Sequence, residues 1–461
     1  MAAKFLLSIF IGIAIWVLPL PEGLSPAAWK LFAIFTATIV AIILKPLPMG
    51  AVSLIALTVS VLLGSLSLED ACNSFGNDVV WLVVFAFFIA KGFITTGLGS
   101  RLAYSVMGRF GKSSLGLGYG LVAADLLLSP CIPSITARAG GVVYPVLKSL
   151  ADIFTGESHD PRMASYLTLC AYQGTAVTSA MFLTAMAGNP LIASIAKSHG
   201  IEIGWMDWAL AAIVPGLLCL LVLPWLMFWL KTPTIRHTPH AKKMAENKLS
   251  EMGPIGPKEK IMAGTFVLLI LLWIFGHFFG VKATAAAMVG VAILLMTRIL
   301  EWKDILQEHS AWDTLIWFAT LITLACRLNT TGFSGWFSQI VAQYAEGLHW
   351  SWGIILLSII YYYSHYFFAS AVAHISSMFA PFLLVAIAIG TPPVLAALIL
   401  AFFSNLFMGL THYGSGAAPI LFGTGYVSVG EWWKAGALSS ILFITVWLFI
   451  GGIWWKVLGY W

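Results

Sequence analysis

The side chains with most chemical potential in this sequence are Asp125, Arg138, His365, His374 and His412, which lie within or beside long apolar runs. Ionisable groups in such surroundings are costly to bury and usually bind a ligand, relay protons or pair with one another. Arg138 could hold an anion, or it could pair with Asp125 and nearby backbone carbonyls. His374 and His412 could donate to a bound anion, or satisfy buried carbonyls. His365 reads as structural. Catalysis finds little support, because there is no HExxH, no GxSxG on a suitable turn and no acidic pair on one helix face. The five cysteines, Cys72, Cys131, Cys170, Cys219 and Cys326, show no paired spacing that would mark a disulfide framework or a metal knuckle.

What must position these groups follows from composition. Of 461 residues, 60% are hydrophobic and only 9% charged, and the mean hydropathy is +0.93. Such a chain uses lipid as its main solvent. Stretches of about 20 apolar residues, enough to cross roughly 30 Å of hydrocarbon, predict about eleven transmembrane helices in an all-α polytopic protein. Six precede a polar stretch, near 5–20, 29–44, 50–66, 79–96, 163–187 and 207–230; five follow, near 261–280, 283–298, 312–329, 393–429 and 436–457. The first is read as a retained span, since its apolar run ends in Pro19 and Pro21 without a small-residue cleavage site. Between Lys231 and Lys260, seven basic residues stand against three acids. That basic loop is expected on the cytoplasmic side, with the N-terminus cytoplasmic and the C-terminus outside. Trp432, Trp433, Trp454 and Trp455 read as an interfacial belt, Asp78 and Asp313 as helix caps, Lys91 and Arg327 as snorkelling ends of spans, and Arg101 to Arg109 as an amphipathic surface helix.

Two stretches fit no span. Leu115–Leu128 and Ala139–Asp152 flank SPCIPSITAR, and Ser351–Tyr363 and Ile375–Gly390 flank SHYFFASAVAH. At 1.5 Å per residue, a run of about 14 residues reaches only about 21 Å. Short apolar runs around a polar tip predict re-entrant hairpins, about 115–152 and about 351–390, whose irregular backbone must face protein or a water-filled cavity. Shifting the chain by 235 residues places Asp78 on Asp313 and Thr95-Thr96-Gly97 on Thr330-Thr331-Gly332; a shift of 236 places Ser134 on Ser370, Ala137 on Ala373 and Pro145 on Pro381. The chain therefore divides into a first helix (1–28), a repeat (29–230), the basic loop (231–260) and a second repeat (261–461). An odd number of spans per repeat inverts the second copy. Each copy also holds a long apolar segment broken by polar residues, TSAMFLTAMAGNP (178–190) and SNLFMGLTHYGSG (404–416). Inverted repeats with broken helices are a transporter architecture in which half-helix ends hold the cargo. A channel is disfavoured by the lack of a charged ring or filter-like repeat.

The segments PSITARAGGVVYP (133–145), TSAMFLTAMAGNPL (178–191), HYFFASAVAH (365–374) and THYGSGAAPILFGTGYVS (411–428) resemble the divalent anion:sodium symporter (DASS) family, specifically its branch of bacterial citrate, tartrate and succinate antiporters and plastid 2-oxoglutarate/malate translocators. The resemblance runs in order along nearly the whole chain. It implies that each hairpin tip carries a Ser-Asn-Thr or related triplet that holds a substrate carboxylate and, in sodium-coupled members, helps ligate sodium. The matching positions are Ser134-Ile135-Thr136 and Ser370-Ala371-Val372. With the tips go the breaks, so the substrate-binding set becomes Ser134, Ile135, Thr136, Arg138, Thr178, Ser179, Ser370, Ala371, Val372, His374, Thr411 and His412. The resemblance also implies a homodimer.

Both tips depart from the family pattern. Ile135, Ala371 and Val372 present aliphatic side chains, which cannot coordinate a cation or donate to a carboxylate. Sodium is therefore a doubtful partner, with Ser134, Thr178, Ser370 and Thr411 its only candidate ligands, and no cofactor is expected. Exchange of anions becomes the expected mechanism, sodium-coupled symport the alternative and an intramembrane enzyme a remote one. Helix N-termini at the two tips supply amides and partial positive charge worth about 0.3 to 1 kcal/mol each when exposed, and Ser134, Thr136 and Ser370 add hydroxyls. Two such ends suit a C4 or C5 dicarboxylate, or a related di- or tricarboxylate, more than a monocarboxylate. No plastid transit peptide precedes the first span, which points to a bacterial inner membrane.

Overall fold

Apolar helices bounded by local stop signals build the whole chain. The computed structural model describes residues 2–156, 160–344 and 349–461. Its first series comprises α1 (Ala2–Val17), α2 (Pro26–Leu44), α3 (Met49–Leu62), α4 (Leu68–Asn73), α5 (Asp78–Thr96), α6 (Leu98–Phe110), α7 (Ser114–Leu128), α8 (Ile135–Arg138), α9 (Tyr144–Gly156), α10 (Pro161–Met181), α11 (Gly188–Ser198) and α12 (Trp205–Leu230). After α13 (Pro239–Glu251) come α14 (Pro257–Phe275), α15 (Ala283–Met296), α16 (Trp302–Gln307), α17 (His309–Thr330), α18 (Phe333–Tyr344), α19 (Trp350–Tyr363), α20 (Ala371–Ala388), α21 (Pro393–Leu406), α22 (Ala418–Phe422), α23 (Val429–Thr445) and α24 (Gly452–Val457). Helix starts are encoded locally. Ser25, Asn77, Ser113, Ser134, Ser370 and Ser428 each accept a bond from an early backbone amide of the following helix, and Pro26, Pro161 and Pro257 occupy first helical positions where a missing N–H costs nothing.

The duplication is visible as reciprocal packing. α3 lies on α17, and its counterpart α15 lies on α5, the counterpart of α17. The two aspartates obey the same exchange. Asp78 pairs with Lys282 at 3.1 Å, and its carbonyl accepts the Thr284 hydroxyl at 2.8 Å where α15 begins. Asp313 faces the start of α3 so closely that a Cβ at Gly50 would lie 2.3 Å from its Oδ1. The cap of α5 is Asn77, which accepts from the Val79 amide at 2.8 Å; the aspartates serve the opposite repeat's helix instead of their own.

Inversion follows from where the hairpins are anchored. Ser114, at the start of the first hairpin, donates its amide to Arg236 at 3.1 Å. Just past its other arm, Asp160 accepts the amides of Thr234 and Ile235 at 2.8 and 3.1 Å and bonds the Phe154 carbonyl at 2.8 Å. Both ends are thus tied to one segment, beyond the end of α12. The second hairpin starts at Trp350, which packs against Trp461 at 6.0 Å and lies beside Gly390 at the hairpin's end. α12 and the α23–α24 rod are antiparallel: Lys231 pairs with Glu431 at one end, while Trp454 and Trp455 donate to the Leu210 and Ala211 carbonyls at 2.7 and 2.8 Å at the other. The hairpins therefore enter from opposite ends of the same helix pair.

Three expectations are corrected here. The second arm of each hairpin is longer than about 14 residues: α20 has 18, and α8 continues through a widened π turn at Ala139–Val143 into α9. Arg101 lies on the inner face of its helix, whose outer face exposes Ser105 and Arg109. α13 packs over α6, and the Arg101 guanidinium is enclosed between Glu259, at 2.6 Å, and the carbonyls of Gly253 and Met252. Trp432 and Trp455 are fully buried, so they belong to the core and not to a lipid-facing belt. Asp160, at the membrane edge, feels opposing effects: burial would raise its carboxyl pKa, but bonds from Thr234, Ile235 and Arg162 hold it below the usual range.

Close packing of the second broken segment leaves no room at Gly436. A Cβ there would lie 2.7 Å from both the Gly409 and Leu410 carbonyl oxygens, and backbone cannot move aside as a flexible side chain can. Gly436→Ala should lose about 1–3 kcal/mol to overpacking, read as a lowered thermal unfolding midpoint in detergent.

Candidate functional site

At the first tip, Ser134 caps α8 by accepting the Ala137 amide at 3.1 Å. This aims the helix start inward, leaving Ser134 half-buried, Thr136 exposed and Ile135 buried. The tip is bound to its own repeat's break, where α10 stops at Met181 and resumes as α11 at Gly188. Ala187 donates to the Pro133 carbonyl at 3.2 Å, and the Thr184 hydroxyl donates to Pro130.

Arg138 is the centre of this union. It is fully buried, and its five N–H groups meet five acceptors: Nε meets Asp125 Oδ1 at 2.8 Å, Nη1 meets the Ile132 and Ala185 carbonyls at 3.0 and 2.8 Å, and Nη2 meets Ser179 Oγ at 2.7 Å and Thr178 Oγ1 at 3.5 Å. The Thr178 hydroxyl donates to the second Asp125 oxygen. Of the two readings of Arg138, the geometry favours pairing, because its donor capacity is spent. Thr178 and Ser179 lie behind it and are engaged by the same network.

The second tip is held differently. Ser370 caps α20 and is half-buried, Ala371 is buried, and Val372 is half-buried. His374 is fully buried in an aromatic cage, stacked on Tyr361 at 4.7 Å between Phe368 and Phe407, with Nε2 bonded to Ser364 Oγ at 2.9 Å. His365 stacks on Phe407 at 3.9 Å and meets the Gly414 carbonyl at 2.9 Å. Tyr413 returns a bond to the Tyr366 carbonyl, also at 2.9 Å. His412 accepts from the Trp433 indole at 3.2 Å. The Thr411 hydroxyl is buried with no hydrogen-bond partner among the described residues.

Cross-contacts close the centre. A Cβ at Gly416, in the second break, would lie 2.3 Å from Thr136 Oγ1 of the first tip; one at Gly188, after the first break, would lie 2.6 Å from Ile375 Cδ1 of the second hairpin. Asn405 Nδ2 donates to Asn189 Oδ1 at 2.8 Å, and Asn189 in turn bonds the Ser179 and Phe182 carbonyls. Tyr172 and Gln173 of α10 brace the second break through the Met408 and Gly409 carbonyls at 2.7 and 2.8 Å. Of the tip side chains, Thr136 is exposed and Ser134, Ser370 and Val372 are half-buried, so these four remain accessible while Ile135 and Ala371 are not. Tyr172 and Gln173 escaped the sequence reading, a polar residue inside a broken helix being their only signal, and Asn189 was read there only as part of the break.

Comparison with known proteins places the whole chain in one family. Residues 1–461 match the family described as the sodium:sulfate symporter transmembrane region. The chain belongs to the divalent anion:sodium symporter family. A Bacillus subtilis protein, YflS, named as a candidate malate transporter, is 52% identical over 99% of this chain and 96% of its own. Dicarboxylate transporter 1 of Arabidopsis thaliana chloroplasts is 50% identical over 99% of this chain and 83% of its own, and the citrate/succinate antiporter of Escherichia coli is 35% identical over 99% and 98%. The fold is shared with the Alcanivorax borkumensis transporter YdaH, at a TM-score of 0.59 and 13% identity over 86% of this chain and 89% of that one.

For a symporter-family member, the fit of sodium to these residues is a test of donor chemistry. Around the first tip, the Ile132 and Ala185 carbonyls already receive guanidinium N–H groups, and Thr178 is committed to Asp125. A second cation in that cage would be repelled by Arg138 and would find its oxygens taken. The Arg138 cage therefore does not fit a sodium ion, and Thr178, spent on Asp125, loses its standing as a ligand; Ser134 lies outside that cage, capping α8. The second half retains the Thr411 oxygen. Among the described residues, no cluster of three or more His, Cys, Asp or Glu side chains could hold a metal.

Removing Arg138 should expose its structural role. Arg138→Ala leaves Asp125 buried without its ion-pair partner, at a cost of about 3–5 kcal/mol. The double variant Arg138→Leu with Asp125→Leu should recover part of that stability, measured by thermal unfolding in detergent.

Proposed function

We propose that the protein exchanges C4 and C5 dicarboxylates, or related di- and tricarboxylates, across a bacterial inner membrane by alternating access. The observation that carries the exchange mechanism is Arg138, whose five N–H groups fill the oxygen cage a co-transported cation would need. With Arg138 neutralised by Asp125 and no bound sodium, the positive potential at the site is that of the helix ends, and the anion is its only counter-charge. An empty site would then cross poorly, since the helix ends and hydroxyls of both tips would lose water without gaining a partner.

The relatives' names support the substrate class, pointing to malate, dicarboxylates and a citrate/succinate pair. The two inward-aimed tips suit an anion with a carboxylate at each end. Ser134, Thr136 and Ser370 are the proposed hydroxyl contacts, and the caps of α8 and α20 supply backbone amides. Arg138, Thr178 and Ser179 position the first tip. His374 supports the second from behind; His412 and Thr411 shape the second break. The anchoring of the first hairpin to the basic 231–260 segment supports a cytoplasmic N-terminus and an external C-terminus. The proposed homodimer rests on the family resemblance.

Sodium-coupled symport is the second reading, favoured by the unpartnered Thr411 hydroxyl. Labelled malate uptake into proteoliposomes separates the two. Uptake confined to vesicles preloaded with a dicarboxylate is expected; sodium-driven uptake into empty vesicles would overturn exchange. In the same assay Thr136→Val should raise KM about tenfold, the worth of one hydrogen bond to a charged group, while Thr136→Ser keeps most of the affinity.

A further inference from the structure

Lys45 ends α2 in the left-handed region, with φ 50, a conformation that a residue bearing Cβ resists. Its amide closes the helix on the Ala41 carbonyl at 2.9 Å, and Pro46 and Pro48 stiffen the turn that follows. The turn itself does not call for lysine: the 235-residue shift places Lys45 on Gly280, which takes the same left-handed conformation at φ 67. A strained residue whose duplicate is glycine invites a reason beyond the backbone.

The side chain supplies one. Lys45 is exposed, and no salt bridge among the described residues includes it. Its ammonium reaches the Ala369 carbonyl at the second tip, 3.4 Å away. Between the α2–α3 turn and that tip lies an open cavity of about 360 Å³, bordered by Lys45, Met49, Ser370 and Ala373. The nearby acid Asp313 is turned to the start of α3 at Gly50. On the opposite face, the turn between α14 and α15 has a lysine too, but Lys282 faces Asp78 at 3.1 Å, whose charge offsets its own.

We propose that Lys45 is a one-sided anion acceptor: it draws a carboxylate of an incoming dianion to the cavity mouth and passes it to Ser370 at the second tip. This rests on the dicarboxylate-exchange reading. The bond to Ala369 is long and weak, so a carboxylate displaces it readily. Because the duplicate lacks a free cation, the two faces of the carrier differ in apparent affinity. The attraction acts through an exposed charge, and salt screens it.

The test is malate exchange by the full-length protein in oriented proteoliposomes, with KM measured separately from each face. Lys45→Gln and Lys45→Gly should raise KM about three- to tenfold on the face of the α2–α3 turn and leave KM on the other face in place. Lys45→Arg should retain most of the affinity. The glycine variant relieves the left-handed strain and so guards against a folding defect. The difference from wild type should shrink as ionic strength rises from about 10 mM to about 500 mM. Unchanged KM on that face, or an equal rise on both faces, would overturn the proposal. Absence of dicarboxylate transport by the wild-type protein would instead remove the functional reading on which it rests.

Discussion

A guanidinium sealed inside a membrane protein has no water to fall back on, so each of its N–H groups must find an acceptor in the chain. That requirement at Arg138 organises the first half of the centre. Its acceptors come from α7 (Asp125), from the tip (Ile132), from the end of α10 (Thr178 and Ser179) and from the break (Ala185). Four pieces of chain, joined also by the Thr184–Pro130 and Ala187–Pro133 bonds, are gathered on one charge. The ion pair with Asp125 is weak evidence for stability in itself; with it, the guanidinium draws acceptors from four separate segments to one point.

The second half reaches a similar shape by other means. Where the first tip leans on a buried cation, the second leans on stacked rings: His365, His374, Phe368 and Phe407 fill the space behind it, with neutral hydrogen bonds to Ser364 and Gly414. Duplication preserved the path of the chain and the serine caps at Ser134 and Ser370 while the supporting chemistry diverged. What still links the copies is reciprocal contact, such as α3 on α17 and α15 on α5.

Much of this was legible in the sequence because it is written locally. A serine before a short helix, proline in a tip and glycine with asparagine inside an apolar run each change the backbone within a few residues, and so the hairpins and breaks could be read directly. The pairing of Arg138 with Asp125 was legible as one of two options, since residues 13 apart on neighbouring arms can meet. Other features depend on contacts that no local pattern carries. Arg101 reads as a surface residue until α13 and Glu259, 158 positions away, cover it. Trp432 and Trp455 sit at helix ends just as interfacial tryptophans do, and only tertiary packing sends them inward. The aromatic cage around His374 draws on three separate segments.

The amide bridge from Asn405 to Asn189 joins the last turn of one broken helix to the first turn of the other. Short, directional bonds of this kind tolerate little sliding, so the two jaws keep a set spacing while the hydroxyls at their edges can rotate. A holder built this way works as a calliper. If it carries dianions as proposed, the rotating hydroxyls at its edges take up the one-carbon difference between C4 and C5 chains, so that molecules of similar length but different decoration compete for the same seat.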